Sequence, residues 1–428
     1  MSDDVTAIRL LGIVRDIGFV SFGKYGQYLV TAVTVPLAAR LLGTEGLGLL
    51  AIGMSAYFIG SLLVDLGIAQ FLSAMLPKAD VNQLRGNYLA IRAGILAVLA
   101  AALGVGLAVD VGPAATMILL GLAAGGLFAM TEDWVLIGQG RFFASMAYQA
   151  VGRVVYLVLL IVLLPRYPSA VVALLCLLVS ALPMIALTWR DTIRRFGRPK
   201  RPRELLPTLR MGAPVLTSRL LIASYGQGSG VVYASVLDAA SLGLFSAGDR
   251  IVRALQSLLD PIGFALLPRM ARIADDDRFW RRATLALLST VGVATAVTAV
   301  LWAAAPLLIA VVFGDQFTES VALLRVEALI LPATAVTSFV ITAVLTVRRD
   351  TTGVLVGGII GTSLAAGWLV VAAMTHSVWT LVWGTVCSEV GVAAWYAYRM
   401  RRLVLRERRT ARARASAAVV PSEERSPL

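Results

Sequence analysis

Apolar runs of about 20 residues recur along almost the whole of this 428-residue chain. A run of that length is what an α-helix needs to cross a bilayer core of about 30 Å. Such runs leave few folds open, because in hydrocarbon every backbone N–H and C=O must find its partner inside the structure. Barrel strands are about 10 residues long and alternate apolar with polar, so these runs predict helices. Composition agrees, with 58% hydrophobic residues, 15% charged residues and a mean hydropathy of +0.82. The fold class expected is an all-α polytopic membrane protein. The N-terminus, MSDDVTAIRLLGIVRDIG, opens on acids and has no apolar core of signal-peptide length, so no cleaved leader is expected. Cys176 and Cys387 stand alone in apolar runs and His376 at a loop, without metal or redox spacing.

Twelve transmembrane helices are predicted, at about 17–38, 46–72, 89–109, 114–137, 144–164, 168–189, 211–235, 242–268, 284–312, 323–347, 351–373 and 377–398. The basic residues test that count. One alternating set of connections, both termini included, carries 30 Lys and Arg, and the other carries only Arg40 and Arg166. By the positive-inside rule the rich set, which takes in Lys78, Arg85 and Arg92, is cytoplasmic. Both termini are then expected to face the cytoplasm, with the protein expected in the cytoplasmic (inner) membrane. The net charge of +13 is mostly topogenic, and no nucleic-acid partner is expected.

The longest polar connection, RDTIRRFGRPKRPRELLPTLR, divides the chain. Five segments follow: a cytoplasmic N-terminus at 1–16, a six-helix lobe at 17–189, a basic cytoplasmic linker at 190–210, a second six-helix lobe at 211–398, and a basic tail at 399–428. The tail is arginine-dense, then rich in Ala, Ser and Pro, and is expected to be disordered on anionic headgroups. Sliding one half over the other by 195 residues matches 8 of 32 positions between 41–72 and 236–267, including Gly48 with Gly243, Gly53 with Gly248 and Asp65 with Asp260. The same offset pairs Lys24 with Arg219, a cation in the first span with one in the seventh. Equal span numbers keep the halves in one orientation, a parallel pseudo-two-fold repeat about the membrane normal. Small residues at helical spacing (Gly121 and Gly125; Gly353, Gly357, Gly361 and Ala365) read as helix-packing faces.

A charge near the bilayer centre costs at least about 2.5–3.5 kcal/mol, so each needs a partner or a role. Counted from the expected helix starts, Lys24, Arg153, Arg219, Arg250, Arg253 and Glu389 lie deep, with Asp249 just outside the middle third. Five cations against two anions leave a surplus that points to a wet, electropositive cavity and an anionic substrate. Asp249 with Arg253 at i,i+4 also fits a structural ion pair. On the eighth span Asp249, Arg253, Gln256 and Asp260 form one polar stripe. Asp65, Asp260, Glu132 and Asp133 fall near cytoplasmic ends, within reach of arginines; Asp65 and Asp260 are candidates for an inner gate or a structural anchor. Arg325 and Glu327 are expected near the outer surface, where they snorkel.

Four stretches carry a resemblance: ARLLGTEGLGLLAIGMSAYFIGSLLVDLGIA (39–69), IGQGRFFASMAYQAVGRVVYLVLLIVLL (137–164), LGLFSAGDRIVRALQSLLDPIGFALLPRMARI (242–273) and VFGDQFTESVALLRVEALILP (312–332). In order and spacing they make the chain resemble the polysaccharide-repeat (O-antigen type) flippases of the multidrug/oligosaccharidyl-lipid/polysaccharide (MOP) exporter superfamily. The resemblance implies two six-helix lobes around a V-shaped central cavity, alternating access, and a polyprenyl-pyrophosphate-linked oligosaccharide carried from the inner to the outer leaflet. It implies cavity cations on the pyrophosphate, for which Lys24, Arg219, Arg250, Arg253 and Arg153 are the candidates. It also implies an ion gradient, H+ or Na+, for which Glu389 and Asp249 are the candidate carboxylates. No cofactor, metal site or enzymatic activity is expected; the partners are the lipid-linked glycan, the bilayer, and a polysaccharide polymerase or glycosyltransferases. Two alternatives stay open: a drug/cation antiporter of the same superfamily, and a membrane glycosyltransferase or polymerase, which the short outward connections disfavour.

Overall fold

The computed structural model describes the backbone of residues 2–76, 80–203, 205–225, 229–272, 276, 278–348 and 350–418, and among these no side chain of residues 2–29, 70, 74, 218, 221–225, 229, 258–269, 271, 272, 351, 408 or 410–418. Every regular element among the described residues is a helix: α1 (Ser2–Asp65), α2 (Ala69–Met75), α3 (Val81–Val109), α4 (Pro113–Phe128), α5 (Asp133–Gly138), α6 (Phe142–Leu163), α7 (Ala170–Phe196), α8 (Leu205–Tyr225), α9 (Ser229–Tyr233), α10 (Ala239–Arg272), α11 (Phe279–Val312), α12 (Ser320–Glu327), α13 (Ile330–Phe339), α14 (Thr351–Thr375) and α15 (Val378–Ala418), with a 3-10 turn at Asp315–Phe317 and a π-helical turn at Val340–Leu345. Among the described residues nine helices are long and apolar enough to cross a membrane. The first two expected spans run on as one helix, α1, bent at Gly43, whose φ of 69° is open to glycine. The expected tenth span is broken: α12 ends at Glu327, two turn residues follow, and α13 leads into the π-helical turn. The remaining expected spans correspond to α8 with α9 and to α10, which carry Arg219 and the polar stripe.

Two compact units arise from the packing. The first comprises Met1–Ser246 with Leu308–Thr318, and the second Ala247–Leu307 with Glu319–Leu428. In the first unit α1 and α4 approach at backbone distance: a side chain added at Gly121 would meet Gly53 O, one at Gly125 would meet Tyr57 O, and one at Gly60 would meet Leu122 O. These are the expected packing faces. The repeat shows in the same unit. A side chain at Gly48 would strike Ala239 O and Gly243 N; one at Gly243 would strike Thr44 O and Gly48 N. Thr44 and Ala239 are themselves 195 apart, so the contact exchanges its partners as a two-fold contact must. In the second unit Gly357 packs on Tyr396 and Gly361 on Val392, seating α14 on α15, and Phe279, Phe339 and Tyr396 anchor the core.

Three expectations about the polar connections change. Arg85 and Arg92, assigned to a solvated loop, lie within α3 and are fully buried. α3 begins earlier than expected because Asp80 caps it, accepting from the N–H groups of Asn82 and Gln83. The linker expected to begin at 190 begins later: α7 continues to Phe196, and the following residues are held along the start of α3 by Lys200 N on Asn82 O, Gln83 Nε2 on Arg201 O and Arg203 N on Asn87 Oδ1. There the Lys200 ammonium hydrogen-bonds Asp80 and holds its carboxyl below the usual carboxylate range. The tail is helical through Ala418, where disorder is expected from 399 on. Its base is tied down by Arg399 to Asp350, at 2.7 and 2.9 Å, and by Glu407 to Arg348 and Trp280 Nε1, at 2.9 and 2.8 Å.

Candidate functional site

In the second unit the polar stripe of α10 meets the break between α12 and α13. Asp249 and Arg253, one helical turn apart, form an ion pair with Nε to Oδ2 at 2.6 Å. One turn further, Gln256 donates to Thr334 Oγ1 of α13 at 2.8 Å. Glu327, expected to snorkel at the surface, is instead 1% exposed, and its Oε2 makes no hydrogen bond. Only glycine leaves room for it: a Cβ at Gly248 would lie 2.9 Å from that oxygen. Asp249 and Arg253 are its charged neighbours. Glu389, half-buried on α15, lies within electrostatic range of Arg253 as well. Asp249 thus pairs directly with Arg253, and Glu327 and Glu389 lie within its electrostatic range. Arg250 is half-buried one residue past Asp249.

Glu327 was missed because depth is measured along a continuous helix. The break at residues 328–329 has a sequence signal in Pro332, in the first turn of α13, which has no N–H to return to Ala328 O and whose ring crowds that carbonyl. A carboxylate at a helix C-terminus sits at the negative end of the dipole, an arrangement that favours a bound cation over a fixed anion. Glu327 is a third deep carboxylate and narrows the cationic surplus expected from the sequence.

The first unit holds the other described candidates. Asp65, the last residue of α1, accepts from Tyr88 Oη at 2.6 Å and lies within electrostatic range of Arg92 and Arg219. The Arg219 side chain packs against Gly67, whose φ of 66° and missing Cβ both suit glycine. Arg153, half-buried on α6, donates to Gln149 Oε1 at 3.3 Å. Beside them Glu132 takes Arg85 Nε at 2.5 Å and Arg92 Nη2 at 3.2 Å, all three fully buried. Glu132 thus finds the arginines expected for it, on α3 and not in a loop. The side chains of Lys24 and Asp260 lie outside the described residues. Among the described residues no group of three His, Cys, Asp or Glu is placed to hold a metal ion.

The family model described as polysaccharide biosynthesis protein matches residues 13–274, well over half of the chain. The chain belongs to the polysaccharide biosynthesis protein family. No curated protein sequence matches it. Its fold is shared with the lipid II flippase MurJ in an inward closed conformation (TM-score 0.67, 12% identity, over 90% of this chain and 87% of that one). An inward-facing multidrug resistance MATE family transporter of the MOP superfamily shares it too (TM-score 0.60, 16% identity, 87% and 95%). So does a Vibrio cholerae MATE transporter (TM-score 0.55, 15% identity, 92% and 97%). The resemblance read from the sequence is met in family and in fold. In this polysaccharide biosynthesis family member the matched region takes in Lys24, Asp65, Arg153, Arg219, Asp249, Arg250, Arg253 and Asp260, while Glu327 and Glu389 lie beyond it.

Proposed function

We propose that the protein is a flippase that carries a polyprenyl-(pyro)phosphate-linked oligosaccharide from the inner to the outer leaflet of the cytoplasmic membrane by alternating access, for cell-surface polysaccharide synthesis. The observation that carries this reading is a set of basic residues placed within apolar spans of a polysaccharide biosynthesis family member. Lys24, Arg219, Arg250, Arg253 and Arg153 hold the phosphate, because a desolvated guanidinium or ammonium is a strong phosphate partner. Arg253 divides its time between the phosphate and Asp249. The carboxylates around it, Asp249, Glu389 and the newly placed Glu327, take up H+ or Na+ and couple the cycle to the ion gradient. Asp65 and Asp260 close the cytoplasmic side. Both termini are cytoplasmic, no covalent chemistry is performed, and a polymerase or glycosyltransferases act before and after it. Drug/cation exchange is the second reading, favoured by three carboxylates within electrostatic range of one arginine.

Replacing both Lys24→Ala and Arg219→Ala tests the first reading. Lipid-linked repeat units then accumulate inside cells that hold normal amounts of the protein. Normal glycan export from that variant overturns the flippase reading, and new drug sensitivity on deletion of the gene, with export intact, establishes the exchanger in its place.

A further inference from the structure

The end of α11 and the turn after it, Leu308–Thr318, belong to the first unit, although α11 up to Leu307 belongs to the second. This segment meets α1 at its bend. Arg40 Nη2 donates to Val311 O at 2.5 Å. That oxygen is among the last four carbonyls of α11, which a helix cannot satisfy itself, so the guanidinium also sits at the negative end of the dipole. Gln316 returns the contact, its Nε2 donating to Ala39 O and Arg40 O at 3.4 Å each. A Cβ at Gly43 would lie 3.2 Å from Gln316 Oε1, so the bend itself seats this side chain. Phe313 and Phe317, 1% and 0% exposed with ring centroids 5.6 Å apart, hold the turn as one piece.

Arg40 is one of the two basic residues that the positive-inside count leaves on the outward side, where a cation works against the topology and so needs a role. We propose that Arg40 and Gln316 form a releasable outward clasp: closed, it holds the bend of α1 against the end of α11, and it opens each time the glycan leaves. Both side chains are exposed, so water replaces each bond as it breaks. The arginines on Glu132 are the opposite case, since parting them would strand charge away from water. Contacts of the exposed kind suit a part that moves, and those of the buried kind a part that does not. Beside the clasp, Gly48 and Gly243 cross on bare backbone, with no side chains to lift from pockets. The rigid turn then swings as a body, with Arg40 as its catch. The inference rests on the flippase reading for what passes and for the need to open.

The test uses the full-length protein in cells stripped of their wall, with Cys176→Ala and Cys387→Ala so that introduced thiols are the only ones. Leu47, one turn past the bend, is 0% exposed, and Leu47→Cys reports opening through its labelling by a membrane-impermeant maleimide. Labelling of a buried thiol follows the open population, so adding Arg40→Ala, which removes a charged hydrogen bond from the closed form, speeds it about tenfold. In a second arm Arg40→Cys and Gln316→Cys are joined by a short bifunctional thiosulfonate. Glycan export then stops and returns with a reductant, while the single-cysteine variants treated alike export normally. This arm carries the test if Leu47→Cys does not fold. The clasp is overturned if Arg40→Ala leaves labelling unchanged, if labelling proceeds only from the cytoplasmic face of inside-out vesicles, or if the cross-linked protein exports like the parent. Unmoved labelling, with export still dependent on Lys24 and Arg219, removes the clasp alone. Labelling that answers to Arg40→Ala, with normal export from the Lys24→Ala, Arg219→Ala variant, removes the flippase reading and leaves the clasp to another passenger.

Discussion

A carboxylate shared by two guanidinium groups, as Glu132 is by Arg85 and Arg92, survives away from water only while all three stay together. Arg92 also donates to Ala129 O and Thr131 O, and Arg85 to Thr192 Oγ1, while the buried Arg92 Nε makes no hydrogen bond. Replacing Glu132→Gln removes the carboxylate that both buried cations share and is expected to cost about 3–5 kcal/mol. A sharp fall in the melting temperature of the detergent-solubilised protein reads that out. Asp191→Asn, which breaks the more exposed pairs to Arg141 and Arg195, should cost under about 1 kcal/mol. At this scale the sequence is legible where charge meets span. Asp249 and Arg253 stand at helical spacing and do pair. Glu327 is harder to read, because its burial depends on a helix break whose one sequence signal, Pro332, lies five residues further on.

The long helices were legible because crossing hydrocarbon demands unbroken apolar length, and that length is written directly in the chain. Their ends were not, since a buried ion pair or a cap can carry a helix past the point where apolar sequence stops. α15 shows how. It leaves its apolar stretch at Arg399 and is held there by a two-pronged pair to Asp350, which also accepts from Gly353 N at the start of α14. The hydrogen bonds from Arg399 hold the Asp350 carboxyl below its ordinary range. A carboxyl depressed in the folded state stabilises above its unfolded value, about 3.9, and that stability is lost as pH falls toward the folded value. The parent should therefore lose melting temperature between about pH 5 and 3. Asp350→Asn, which keeps the cap and weakens the charge pair, should start lower at pH 7 and change less over the same window. Parallel slopes for the two proteins would show that Asp350 does not anchor α15.

For the whole molecule the deciding feature is a repeat whose halves touch at matched positions. Eight identities in an apolar stretch are weak testimony, since leucine meets leucine by chance. The contact is stronger: Gly48 faces Ala239 and Gly243 as Gly243 faces Thr44 and Gly48, with both offsets 195. Chance identity has no reason to bring matched glycines together at backbone distance. Such a contact also suits relative motion, because two helices crossing on bare backbone can slide or tilt without lifting side chains from pockets. Gly48→Ala and Gly243→Ala should each force the helices apart and cost about 1–3 kcal/mol, as overpacking does. Once one methyl has opened the crossing, the second finds space already made, so the double variant should lose much less than the sum of the singles. Melting temperatures of the two single variants and the double variant measure this directly. Additive losses would mean that each glycine answers to a different neighbour, and the two-fold contact would have to be given up.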